Sequence, residues 1–293
     1  MGALRKFVAW LTLVSMGFAP IAQAQSTAVG ILLKSSPSVI VTSPPYQSNL
    51  IFWLDPSDLS TMFQTITGTT AVAADGDVVG TWKDKSSSAF DLAAIGNDTS
   101  RPTFHVSGSL YWVEGDGSND TIYRAGTLGL YALSGYTVVA GVRANPAADK
   151  WLLSEGYSAF PGANIAMLRS EASTASTMTY QISRDDASRI ITETAVIKTG
   201  VWDNTDKVVA VSDSTTAITP YVDGVVGTPY TYSRSGTVTT FNRFGLFGYA
   251  GAGCCYDQFA ARVYCVLVYN RVLNAAEVKQ ASRYCAYRQG RRI

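Results

Sequence analysis

The sequence predicts an all-β fold, a sandwich or barrel of short strands closed by one C-terminal helix, and three observations predict it. Short runs of β-branched and aromatic residues recur between clusters of Gly, Asn, Asp and Ser from about Leu50 onward. The dipeptide Asp223-Gly224 separates Ile218 to Val222 from Val225-Val226, and a type I′ hairpin turn demands such a pair because both central residues need positive φ. A strong helix start follows the last apolar run, with Asn274 as N-cap and Glu277 three residues on. With 47% of 293 residues hydrophobic and 15% charged, there is apolar material for a packed core, which excludes disorder.

The elements follow in order. Arg5 and Lys6 precede an apolar run from Phe7 to Ala19, Pro20 breaks it, and Ala22-Gln23-Ala24 supplies a small-x-small cleavage pattern. Residues 1–24 therefore read as a secretory signal peptide, because the run is too short to span about 30 Å of hydrocarbon at about 1.5 Å per residue. The alternative is a retained N-terminal apolar anchor buried in a partner. Residues 25–48, rich in Ser, Thr, Pro and Val, read as an extended linker, and 49–293 as one domain. Predicted strands cover Val78 to Trp82, Leu110 to Glu114, Tyr136 to Val142, Thr177 to Ile182, Ile190 to Ile197 and Lys207 to Val211. Asp185-Asp186 falls between two of these and reads as a solvated turn. A long apolar strand at Arg262 to Tyr269 then leads into a helix from about Ala275 to Tyr287.

Cys254, Cys255, Cys265 and Cys285 close the chain, and an exported protein with an even cysteine count pairs them. Adjacent cysteines bond each other rarely, so Cys254 and Cys255 are each expected to reach to Cys265 or Cys285. Helix and strand lengths bring Cys285 back near Cys265 or the Cys254-Cys255 loop, which would staple the helix to the sheet.

Several segments carry a resemblance. Phe52-Trp53-Leu54-Asp55-Pro56-Ser57-Asp58, Ala74 to Ser86 with its Gly80-Thr81-Trp82-Lys83-Asp84, Arg101-Pro102-Thr103, Glu114 to Asp120, Tyr221-Val222-Asp223-Gly224 and the closing Val266 to Leu273 come in the order usual for one superfamily. Over about residues 50 to 288 the chain resembles the concanavalin A-like lectin/glucanase superfamily in its laminin-G-like jelly-roll branch. The resemblance implies two packed antiparallel sheets, and members occur in secreted bacterial proteins and in phage virion and tail-fibre proteins. One position departs from the pattern: Gly115 stands where a large apolar residue is usual.

Charge and composition exclude several functions. Lys and Arg total 23 against 22 Asp and Glu, so no broad basic surface exists for nucleic acid or an anionic membrane. The single histidine, His105, reads as a packed or surface residue and cannot build a multi-histidine metal centre. A hydrolase would need two carboxylates on one strand face. Glu114 and Asp116, spaced i and i+2, are the candidate pair, although Ser118 replaces the further glutamate that glucanase members carry. Asp116, Asn119 and Asp120 offer hard oxygens in a Gly-containing loop, either as calcium ligands or as Asx turns that bond their own backbone. For sugar, exposed aromatic faces stack on pyranose rings, and Tyr249 and Tyr256, flanking the 250–255 loop, join Asp116, Asn119 and Asp120 as candidate ligand residues. Arg283, Arg288, Arg291 and Arg292 read as a solvated basic tail.

The expected function is a non-enzymatic carbohydrate-binding or adhesion module, secreted, on a cell surface or on a virion. It would meet cell-surface glycan or virion proteins, with homo-oligomers open and no cofactor beyond a calcium ion. A structural phage virion component anchored through its N-terminal segment is the alternative, and a glycan hydrolase the second.

Overall fold

In the computed structural model, the described residues are 42–94, 100–156, 164–186, 189–234, 241–249 and 257–293. The predicted signal segment, most of the leader, and Cys254, Cys255 and Tyr256 lie outside them. The strands, in chain order, are β1 Leu50–Leu54, β2 Met62–Phe63, β3 Thr81–Trp82, β4 Leu92–Ala94, β5 Thr103–Ser107, β6 Leu110–Gly115, β7 Ile122–Ala125, β8 Tyr136–Ala144 and β9 Trp151–Gly156. They continue as β10 Asn164–Ser170, β11 Met178–Asp186, β12 Arg189–Lys198, β13 Asp206–Asp213, β14 Ala217–Val222, β15 Val225–Val226, β16 Tyr230–Thr231, β17 Arg243–Leu246 and β18 Ala261–Tyr269, before helix α1, Ala275–Arg288.

Among the described residues these strands form two antiparallel sheets. The first runs β15-β14-β13-β8-β18-β6-β5, with β1 also on β18 and β16 on β14; the second runs β12-β11-β10-β9-β17-β7-β4-β3-β2. Between them lies one large apolar core that includes Phe52, Trp82, Phe104, Val138, Leu153, Phe244 and Val268. A second cluster sits on the outer side of the first sheet, where Val278, Ala281, Tyr284 and Cys285 of α1 cover Val139, Val208, Cys265 and Leu267.

That arrangement explains the unbroken apolar run of β18. Val263, Val266 and Val268 face the inter-sheet core, while Cys265, Leu267 and Tyr269 face the helix, so the strand is buried on both sides. The pairing of β18 with β8 slips between Val263 and Cys265, leaving Tyr264 as the extra residue of a bulge. Gly141 lets the helix approach closely, since a Cβ there would stand 3.2 Å from the Cβ of Cys285. Cys265 and Cys285 are joined as a disulfide across this contact. The expectation that Cys254 and Cys255 each reach to one of these two is therefore corrected: the helix folds directly onto β18, and both distal cysteines are spent on each other.

The helix start is a reciprocal capping box, in which Glu277 N–H donates to Asn274 Oδ1 and Asn274 N–H to the Glu277 carboxylate. At the hairpin, Asp223 and Gly224 take φ of 50° and 73°. Three expectations need revision. Val78 to Trp82 is not one strand: Val78 bridges to Thr103 in the first sheet, whereas Thr81–Trp82 pairs in the second, so the segment crosses between layers. Asp185 and Asp186 are the last paired residues of β11, opposite Ile190 and Arg189, and not a turn. The end of the predicted linker is packed: Pro44 is buried, Tyr46 Oη donates to Gln280, and Tyr269 Oη donates to the Pro45 carbonyl. None of the described helices is long and apolar enough to cross a membrane.

Candidate functional site

The loop that leaves β6 is held by its own backbone. Asp116 Oδ1 accepts the N–H groups of Ser118 at 2.7 Å and Asn119 at 3.2 Å, and Asp120 Oδ2 accepts the Asp116 N–H at 2.8 Å. Asp120 is buried, which pushes its carboxyl up to about 6 while the Asp116 N–H pulls the other way. The structure thus brings Asp116 and Asp120 together as partners in one turn. Among the described residues, no three His, Cys, Asp or Glu side chains gather as a metal centre would need. Gly115 is also explained: the ring of Phe247 occupies the place of its missing side chain, 2.5 Å from where a Cβ would lie.

Glu114 and Asp116 turn to different partners. Glu114 accepts from Trp112 Nε1 at 3.0 Å and pairs with Arg262 Nε at 3.1 Å, whereas Asp116 faces its own turn. Asp116 is exposed and the Glu114 side chain retains 36% exposure, so the two do not share an enclosed site. Tyr249 is buried against Trp151, with ring centroids 4.9 Å apart, because it follows β17 into a small cluster. Its ring therefore lies inside the fold, away from solvent.

The features suited to a ligand lie instead on the outer face of the first sheet, beside the helix. Alternation along β5 and β6 sends Phe104 and Val113 into the core and His105, Trp112 and Glu114 outward. There the rings of His105 and Trp112 stack at 5.4 Å with 22° between planes, and the Arg262 guanidinium lies 5.0 Å over Trp112. Tyr264, aimed outward by the bulge, stands 6.1 Å from Trp112. Burial and the charge of Asp206 hold its phenol up at about 12.

Tyr264 also lines a cavity of about 300 Å³ between the end of α1 and the β5–β6 turn. Its other walls include Tyr287, Arg288, Arg291 and Arg292, with Asp55 and Ser57 from the segment after β1. Asp55 is fully buried and fixes this wall: it accepts from Tyr284 Oη at 2.8 Å and Ser57 Oγ at 2.7 Å and pairs with Arg288 at 2.9 Å. Arg291 forms a two-pronged pair with Asp223 at 2.8 and 2.9 Å, and a Cβ at Gly290 would stand 3.0 Å from Leu110. Of the basic tail predicted to be solvated, Arg288, Arg291 and Arg292 are thus folded back as a cavity wall, while Arg283 is exposed.

Sequence reasoning missed Trp112, Tyr264 and Tyr287. The outward Trp112-Glu114 pair was readable from period-two alternation, but the bulge at Tyr264 and the return of the tail depend on tertiary packing. No protein-family model and no curated protein matches this chain. Among solved structures it is similar to the binding domain of Paraclostridial Mosquitocidal Protein 1, at 13% identity and a TM-score of 0.51, over 82% of this chain and 53% of that one. It is likewise similar to the binding domains of botulinum neurotoxin serotypes G and D. For serotype G the identity is 10% and the TM-score 0.52, over 81% of this chain and 51% of that one. For serotype D they are 8% and 0.51, over 80% and 52%. The chain spans about half the length of each of these. At such identities the likeness is one of fold, and it places the chain among β-sandwich domains.

Proposed function

We propose that this chain is a carbohydrate-binding module of the concanavalin A-like kind, working outside the cell or on a virion surface. The observation that carries the reading is the 300 Å³ cavity walled by Tyr111, Tyr264 and Tyr287, with the outward ring of Trp112 next to it, 6.1 Å from Tyr264. A sugar ring presents apolar C–H faces to such rings and hydroxyls to the serine and guanidinium groups beside them. The volume suits one or two sugar units, at the lower end of small-molecule sites. Two further features support the reading: the Cys265–Cys285 disulfide suits an oxidising compartment, and the toxin domains of like fold are binding domains. The segment 1–24 would direct export, and the part of 25–48 that precedes Pro44 would space the domain from it. The Asp116-Asn119-Asp120 turn is assigned the structural task of holding the end of β6, and Glu114 that of orienting Trp112.

Screening the purified protein on an oligosaccharide array, followed by calorimetry on the best ligand, tests this. Trp112→Ala and Tyr287→Ala should each weaken binding about tenfold, the worth of one stacked aromatic at about 1.4 kcal/mol. Tyr287 is 44% exposed, so its variant should keep the parent's melting temperature. Undiminished affinity in both variants would move the site elsewhere.

A further inference from the structure

Asp223 does more than form a turn, because its carboxylate holds a residue of the cavity wall. A type I′ turn accepts asparagine at this position at least as readily as aspartate. Here the charge has a use: Asp223 Oδ1 accepts the Val208 N–H at 2.9 Å and Arg291 Nη1 at 2.9 Å, while Oδ2 accepts Arg291 Nη2 at 2.8 Å. Arg291 Nη1 donates as well to Gln289 Oε1 at 3.2 Å, and Gln289 is buried with its own Nε2 on the carbonyls of Val142 in β8 and Lys207 in β13. The guanidinium is therefore fixed from the hairpin directly and from the two strands through Gln289. A Cβ at Gly224 would stand 3.2 Å from the Lys279 Cα, so glycine lets the turn lie close against α1 and brings Asp223 within reach of the tail. A guanidinium carries five N–H donors. Three are spent on Asp223 and Gln289, so among the described residues two remain on a side chain that lines the cavity. Donors already locked in place lose less freedom on binding than mobile ones.

We propose that Asp223 is a positioning residue of the carbohydrate site, setting Arg291 so that its two remaining N–H donors meet ligand hydroxyls in the cavity. This rests on the carbohydrate-binding reading and adds to it a residue that is not among those lining the cavity. The fork to Asp223 balances the charge of Arg291, and what the arginine offers a sugar is direction: planar N–H groups held at a set angle, which a lysine ammonium in its place would not supply.

Asp223→Asn separates the two roles: asparagine keeps the turn and its Oδ1 still accepts from Val208, but its Nδ2 sets a donor against Arg291 Nη2. Calorimetry on the full chain uses the tightest-binding oligosaccharide of the array, with lactose, cellobiose and N,N′-diacetylchitobiose beside it. Asp223→Asn should weaken binding about fivefold and Arg291→Gln about tenfold. The double variant should bind no more weakly than Arg291→Gln alone, because Asp223 acts through Arg291. In proton–nitrogen correlation spectra of the ligand-free protein, the Arg291 Nε–H signal, assigned by its loss in Arg291→Gln, should shift or broaden in Asp223→Asn. An unmoved signal, additive losses in the double variant, or undiminished affinity in Asp223→Asn overturns the role of Asp223 and leaves the carbohydrate reading standing. Binding of no saccharide by the parent protein overturns both.

Discussion

Glu155 shows how one side chain can be both anchor and liability. It lies in β9 with no exposed surface, and its two oxygens accept the N–H groups of Gly129 and Leu130, each at 3.0 Å. Burial raises its carboxyl from an ordinary 4.5 to about 7, although those N–H groups and their neighbours favour the ionised form. Desolvation wins because a carboxylate buried in the sandwich loses more hydration than three backbone donors and the Thr127 hydroxyl return. The folded protein consequently holds this proton more tightly than the unfolded chain. The group's contribution to stability is full below about pH 4.5 and is lost as the pH rises through 7, a change of about 3 kcal/mol. Glu155→Gln should flatten that interval in a series of urea titrations, at the expense of one backbone hydrogen bond. If the slope persists in the variant, another group is responsible. Asp120, raised by the same cause, would add a smaller slope of the same sign at lower pH.

At the scale of elements, α1 and β18 form the unit that builds the proposed site. The helix contributes Tyr287 and Arg288, the tail after it Arg291 and Arg292, and the β18 bulge Tyr264. Much of this unit was legible in sequence. Asn274 and Glu277 announce the helix start by the residue types a capping box requires, and Ile218 to Val226 announces the hairpin by the positive φ that Asp-Gly tolerates. The cysteine pairing was not, because it turns on how closely the helix lies to β8 over Gly141, a distance no local pattern encodes. The disulfide closes a loop of 20 residues, so in the chain-entropy account its removal should cost about 3 kcal/mol. Cys265→Ala with Cys285→Ala should therefore lower the urea midpoint, and binding at the proposed site should weaken at temperatures where the helix end frays first. A double variant with the parent's midpoint would mean that the Val278, Ala281 and Tyr284 contacts alone secure the helix.

At the scale of the molecule, the two sheets are tied by a polar network as well as by their apolar core. Asp213, at the end of β13 in the first sheet, accepts from Tyr180 Oη of β11 in the second sheet at 2.7 Å and from Tyr232 Oη at 2.6 Å. Tyr180 and Tyr136 share a hydrogen bond of 2.6 Å, and Arg234 stands 3.6 Å from the same carboxylate while donating to the carbonyls of Leu130 and Leu133. Every one of these side chains is buried or nearly so, and sequence could not reveal them, since residues 136, 180, 213, 232 and 234 meet only once both layers are stacked. The strand alternation that predicted a sandwich fixes which residues point inward, whereas the choice of inward partner belongs to topology. Removing the shared acceptor leaves two phenols, those of Tyr180 and Tyr232, and a buried guanidinium short of a partner. Asp213→Ala should therefore cost about 3–5 kcal/mol, more than deletion of an ordinary surface ion pair. Because the network spans both layers, the loss should appear as one earlier transition. Tryptophan fluorescence, which samples Trp53 and Trp112 in the first sheet and Trp82 and Trp151 in the second, should follow far-ultraviolet circular dichroism throughout. Two separated transitions would mean that the sheets hold their structure independently, and that Asp213 stabilises one of them without joining the pair.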